Sequence, residues 1–149
     1  MAEATRTETG PLALVVFSPA FERVHYALAI AAAALACNRP VTLFFAMAAT
    51  RALARPAADG TPGWAGLGSD QGGQSPVEID SALRAKGIAG FEDLFAACVG
   101  LGASVMVCEM GLRALDLTPD ALRDDVPLRP GGLVTFLGEI GGAGAPMFI

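Results

Sequence analysis

Two short apolar runs, LALVVF at 12–17 and VTLFFAM at 41–47, flank a segment of helical period, and no other feature of the chain constrains its fold as much. Runs of this length without alternation read as strands buried on both faces. Between them Phe21, Val24, Leu28, Ala31 and Leu35 recur at spacings of three and four, and Asn38 with Pro40 supply the stop. Strand, helix, strand in that order predicts a parallel pair joined by a right-handed crossover.

A third run, ASVMVC at 103–108, predicts a further buried strand. Two helices are expected before it, at 77–86 with a glycine stop at Gly87 followed by Ile88, and at 91–101 with Phe91, Leu94, Phe95, Cys98 and Leu101 on one face. Glu92 and Asp93 suit the first turn of the second of these. A short helix carrying Leu112 and Leu115 follows the third strand, and Thr118-Pro119-Asp120 reads as an N-cap, a first-position proline and a first-turn acid. A short fourth strand is expected at 126–128, then a helix through Leu133, Phe136, Leu137 and Ile140, then a terminal strand at 146–149. Residues 55–76 hold six Gly and three Pro without any period, which predicts a long irregular loop acting as a flap, an interface element or a disordered stretch. Residues 1–10 read as a flexible tail and 11–149 as one domain.

A chain of 149 residues can bury a core without disulfides or a structural metal. Its net charge of −5 offers no basic footprint, so a nucleic-acid partner is not expected. The longest apolar run, 27–37, is too short to span a bilayer, and the opening MAEATRTETG has no signal-like apolar core; a cytoplasmic protein is expected. A mean hydropathy of +0.50 and an alanine-rich first helix predict a homo-oligomer, with part of that helix or the segment around Trp64 at the interface.

Chemistry is sparse. Cys37, Cys98 and Cys108 form no CxxC, and His25 is the one histidine, so neither a zinc site nor a disulfide framework is expected, and no cofactor. In parallel sheets reactive groups gather beyond the carboxyl ends of strands. Three such ends are visible, at Ser18-Pro19, Met47-Ala48 and Cys108-Glu109, and only the last offers a nucleophile. At a strand-to-helix turn, backbone N–H groups would favour the Cys108 thiolate, whereas an inward Glu109 would oppose it. Packing is the commoner fate of a free cysteine, and the strand-end position narrows that difference without closing it. Cys98 and Cys37 read as structural. His25 reads as a helix-boundary residue whose reach to Cys108 depends on the fold, and Ser18 as a helix cap, because no GxSxG elbow surrounds it. Gly66, Gly68, Gly72 and Gly73 follow no strand and lack a GKS or GKT, which argues against a phosphate loop.

The stretches LALVVFSPAFERVHYALAIAAAALACNRPVTLFFAMAATRAL and FEDLFAACVGLGASVMVCEMGLRALDL, with GGLVTFLGEIGG near the end, resemble the DsrE/DsrF-like family of sulfur-relay proteins. The resemblance implies a three-layer α/β/α fold with a mostly parallel five-stranded sheet, assembly into oligomers, and a cysteine after a central strand that carries sulfane sulfur as a persulfide. The cysteine matching by position is Cys108. No metal or organic cofactor is implied; the implied partners are protein thiols and persulfides that donate or accept sulfur. Support for the site is expected from Ser18, His25, Met47, Glu109, Met110 and Gly111.

The leading expectation is therefore a sulfurtransferase-like sulfur carrier acting through Cys108. The alternative is a non-enzymatic oligomeric scaffold or small-ligand-binding protein of the same fold. A one-cysteine thiol peroxidase is a third reading, separable by peroxide consumption and sulfenic-acid trapping.

Overall fold

The computed structural model describes residues 10–149; the tail expected at 1–10 lies, but for Gly10, outside the described residues. Five strands form one sheet in the order β4-β3-β2-β1-β5, parallel at every pairing. They are β1 (Leu12–Val16), β2 (Val41–Phe45), β3 (Ser104–Cys108), β4 (Arg129–Gly131) and β5 (Met147–Phe148). The three apolar runs thus occupy the adjacent central positions. Leu14 stands beside Leu43 and Leu43 beside Val105, so aliphatic side chains form continuous rows across the sheet.

The two sheet faces are covered unequally. On one lie α1 (Phe21–Ala36), α2 (Pro76–Ala85) and α3 (Phe91–Gly100), over a core that includes Leu14, Val16, Leu43, Phe45, Val105 and Val107. On the other, Ala13, Val15, Phe44, Met106 and Cys108 meet α5 (Leu133–Ile140), which contributes Phe136 stacked on Phe44 at 4.5 Å. Three layers result. The alternation along β1 and β3 assigns each residue to its face through the period of two.

Local chemistry explains the boundaries of α2 and the start of α3. Helix α2 starts with a complete capping box between Ser75 and Glu78, with Pro76 in its first turn. It ends with Gly87 at φ 77°, where the Ile88 N–H reaches the Leu83 carbonyl and the Gly87 N–H that of Arg84, the paired bonds of a glycine-terminated helix. Asp80, buried within α2, accepts a hydrogen bond from the Phe91 N–H at 2.7 Å and so caps α3 from outside.

Four expectations are corrected. The fourth strand lies at Arg129–Gly131 rather than 126–128: an edge strand pairs on one side only, which tolerates Pro130, while Val126 and Leu128 pack against the helical core instead. Thr118, Pro119 and Asp120 hold the expected N-cap, first-position and first-turn places, but of a single 3-10 turn, Pro119–Ala121, and without a side-chain capping bond. Leu101 falls beyond the end of α3 and is exposed. The 55–76 segment is docked rather than a free flap. Trp64 is buried between Phe21 and Phe91, its Nε1–H donates to Glu92, and Gly68 exchanges backbone bonds with the start of α1. Trp64 is therefore committed to its own core and is not available as an interface side chain.

Candidate functional site

Cys108 is the last residue of β3 and the N-cap of the short helix α4 (Glu109–Ala114). Alternation along β3 turns it toward the α5 side of the sheet, with Met106. It is 3% exposed, and its sulfur makes no capping hydrogen bond. The expected stabilisation by N–H groups of the turn is thus not realised as a bond to sulfur.

Two depressions meet at this thiol. One, of about 220 Å³, is walled by Val15 and Phe17 at the end of β1 and by Phe44, Ala46 and Met47 at the end of β2. Met110, Leu133 and Phe148 complete it from α4, α5 and β5, so apart from the thiol its walls are apolar throughout. The other, of about 250 Å³, is shared among Cys108, Met110 and Leu133 with Glu109, Arg113 and Gly132. Glu109 and Arg113 are exposed and, among the described residues, form no ion pair. Cys108 thus borders a wholly apolar chamber and an adjoining one that also holds two charged side chains.

Two backbone features border the chamber. Met47 sits at φ 48°, a left-handed conformation uncommon for a residue with a side chain, and begins a 3-10 stretch, Met47–Leu53, where β2 ends. Phe17 and Phe148 stand 5.2 Å apart at the rim, and the backbone beside them is tied where the Phe17 and Ser18 N–H groups both donate to the Ile149 carbonyl.

Of the residues expected to support Cys108, Met47 and Met110 line the apolar chamber and Glu109 the charged one. Gly111 is buried one turn below, against the backbone of Met47. Ser18 neither lines a depression with Cys108 nor sits at the N-cap: Ala20 holds that position, and Ser18 Oγ accepts from its N–H at 3.2 Å. His25 is not brought to the thiol. It lies on α1, across the sheet, with Nε2 2.8 Å from the Ala89 carbonyl and its ring against Phe21. There it borders a separate polar depression of about 350 Å³, with Glu22, Gln71 and Lys86.

The other thiols differ from Cys108. Cys98 is fully buried among the helices and donates to the Leu28 carbonyl at 3.4 Å; burial pushes its thiol up to about 11. Cys37 is exposed at the end of α1. Among the described residues no cluster of His, Cys, Asp and Glu could hold a metal ion, and no helix is long and apolar enough to cross a membrane.

Sequence reasoning missed the aromatic walls Phe17, Phe44 and Phe148, and Arg113. Period-two alternation places Val15 with Phe17 and Phe44 with Ala46, but joining those pairs to Cys108 needs strand order and register, which no single run contains. No family model matches the chain, and no curated protein does.

Proposed function

We propose that the chain is a sulfur carrier of the DsrE/DsrF-like kind, with Cys108 as the residue that holds the sulfur. The observation that carries this reading is the position of Cys108, a thiol at the carboxyl end of a central parallel strand, bordering two depressions with no second nucleophile among their walls. Thiol exchange needs a thiolate, access and a leaving group, and no triad. The Cys108 thiolate attacks the outer sulfur of a donor persulfide, forming a new S–S bond. The donor's own S–S bond breaks, and its inner sulfur leaves with the electron pair as a thiolate. The same exchange with an acceptor thiol, which a protein can supply, returns Cys108 to its starting state. No electrons are gained or lost overall.

Assembly belongs to the same proposal. Val134 is 87% and Phe148 67% exposed, with Leu133 and Leu137 beside Val134 on α5, so the thinly covered face carries apolar surface suited to another subunit. A second reading, a ligand-binding scaffold, is favoured by the near-complete burial of Cys108 beside an apolar chamber. Intact-mass measurement after incubation with a sulfane-sulfur donor separates the two. Sulfur addition to wild type and its absence in Cys108→Ala support the carrier; equal addition to both, or to neither, removes it.

A further inference from the structure

The apolar chamber is much larger than one transferred sulfur requires, and its walls say what else enters. A sulfur atom occupies on the order of a single water's share of volume, about 30 Å³, whereas the chamber measures about 220 Å³. No wall residue other than Cys108 has a side chain that hydrogen-bonds well or carries charge. An anion or ammonium seated there would lose its water and gain no partner, while an alkyl or aryl group would gain by leaving water. The charged side chains near the thiol, Glu109 and Arg113, border only the neighbouring depression. Apolar walls and charged side chains are therefore sorted into two adjoining depressions that share Cys108, Met110 and Leu133. The rim continues the apolar side outward through Phe17 and Phe148, both of which present ring surface to solvent.

We infer that the sulfur donor is a small organic persulfide with an apolar alkyl or aryl body, which seats in this chamber; the inference rests on the sulfur-carrier reading. The body lies among Phe17, Phe44, Met47 and Phe148 with its terminal sulfur at Cys108. The thiolate bonds to that terminal sulfur, and the S–S bond to the body breaks. The body keeps the electron pair as an organic thiolate, and the proton of the terminal SH stays with the transferred sulfur. Inorganic polysulfide, having no body, forfeits the chamber entirely. A zwitterionic persulfide such as that of cysteine would place charge against apolar walls.

The test compares benzyl persulfide, cysteine persulfide and inorganic polysulfide as donors to the full chain, following sulfur addition at Cys108 by intact mass. Each rate is divided by that of the same donor with free glutathione. The normalised rate for benzyl persulfide is expected to exceed both others by about ten-fold or more, the order expected for burying a phenyl-sized group. Ala46→Leu, which fills the chamber, and Phe148→Ala, which removes part of its rim, should each bring the benzyl-to-polysulfide ratio toward one, so the result does not hang on one variant's folding. Benzyl methyl sulfide, which has no sulfur to give, should slow iodoacetamide alkylation of Cys108 in wild type. Equal normalised rates, a faster cysteine persulfide or polysulfide, or no protection would overturn the apolar-body donor and leave the carrier reading standing. Failure of all three donors to load Cys108 would overturn the carrier reading, and the donor assignment with it.

Discussion

Gly111 and Met47 approach so closely that one added carbon does not fit between them: a Cβ on Gly111 would lie 2.7 Å from the Met47 backbone nitrogen and 2.7 Å from Thr50 Oγ1. This contact locks the helix that follows Cys108 onto the left-handed turn at the end of β2. Gly111→Ala is expected to lower stability by about 1–3 kcal/mol, the usual cost of overpacking against backbone. It should also push α4 away from Met47 and so raise the alkylation rate of Cys108. Urea unfolding and timed iodoacetamide labelling measure the two effects; a variant as stable as wild type with unchanged labelling would show that the turn is not locked.

Thr50 shows the cost of that tight fit. Its Oγ1 is buried and has no hydrogen-bond partner among the described residues, which costs the fold a desolvation penalty. Thr50→Val keeps the shape and removes the orphan hydroxyl. A gain of about 0.5–2 kcal/mol in unfolding free energy is expected, and a loss would mean that the hydroxyl has a partner after all.

Cys98 gives the fold a dependence on alkaline pH. Burial raises its thiol from the ordinary 9.0 to about 11, so the unfolded chain ionises first as pH rises. The stability held by the neutral buried thiol is complete below pH 9 and is lost as pH climbs toward 11. Over that window the urea midpoint of wild type should fall more steeply than that of Cys98→Ala. Parallel slopes for the two proteins would remove Cys98 as the source.

Arg123 holds the loop before β4 to α3. Its guanidinium donates to both carboxylate oxygens of Glu92 and both of Asp125, and its Cζ lies 4.9 Å from the centre of the Phe95 ring. The guanidinium is nearly buried while its partners are half exposed, so Arg123→Met is expected to cost about 1–2 kcal/mol, between exposed and buried pairs. Labelling of Cys108 should not change, because the network lies across the sheet. A faster labelling rate would mean that the two faces are coupled.

The three central strands and α1 were legible because each run contains its own signal, continuous apolar residues for the strands and a spacing of three and four for the helix. The edge strand at Arg129–Gly131 was not, since Arg, Pro and Gly favour no strand and only the free side of β3 recruits them. Trp64 misled for a similar reason: Gly and Pro around it suggest freedom, yet the indole finds Phe21 and Phe91 from two distant helices. Cys108 could be singled out from its strand-end position, whereas the chamber beside it is built from five separate segments and shows only when their register is known.

The rim pair Phe17 and Phe148 comes from opposite ends of the described chain, brought together when β5 crosses back to lie beside β1. Contacts so remote in sequence carry a large loop-closure cost and tend to form after local ones. The niche around Cys108 is therefore a product of completed tertiary structure. A chain with its helices and central strands in place but β5 undocked would lack the wall that Phe148 supplies. The apolar chamber is complete only once β5 is paired with β1.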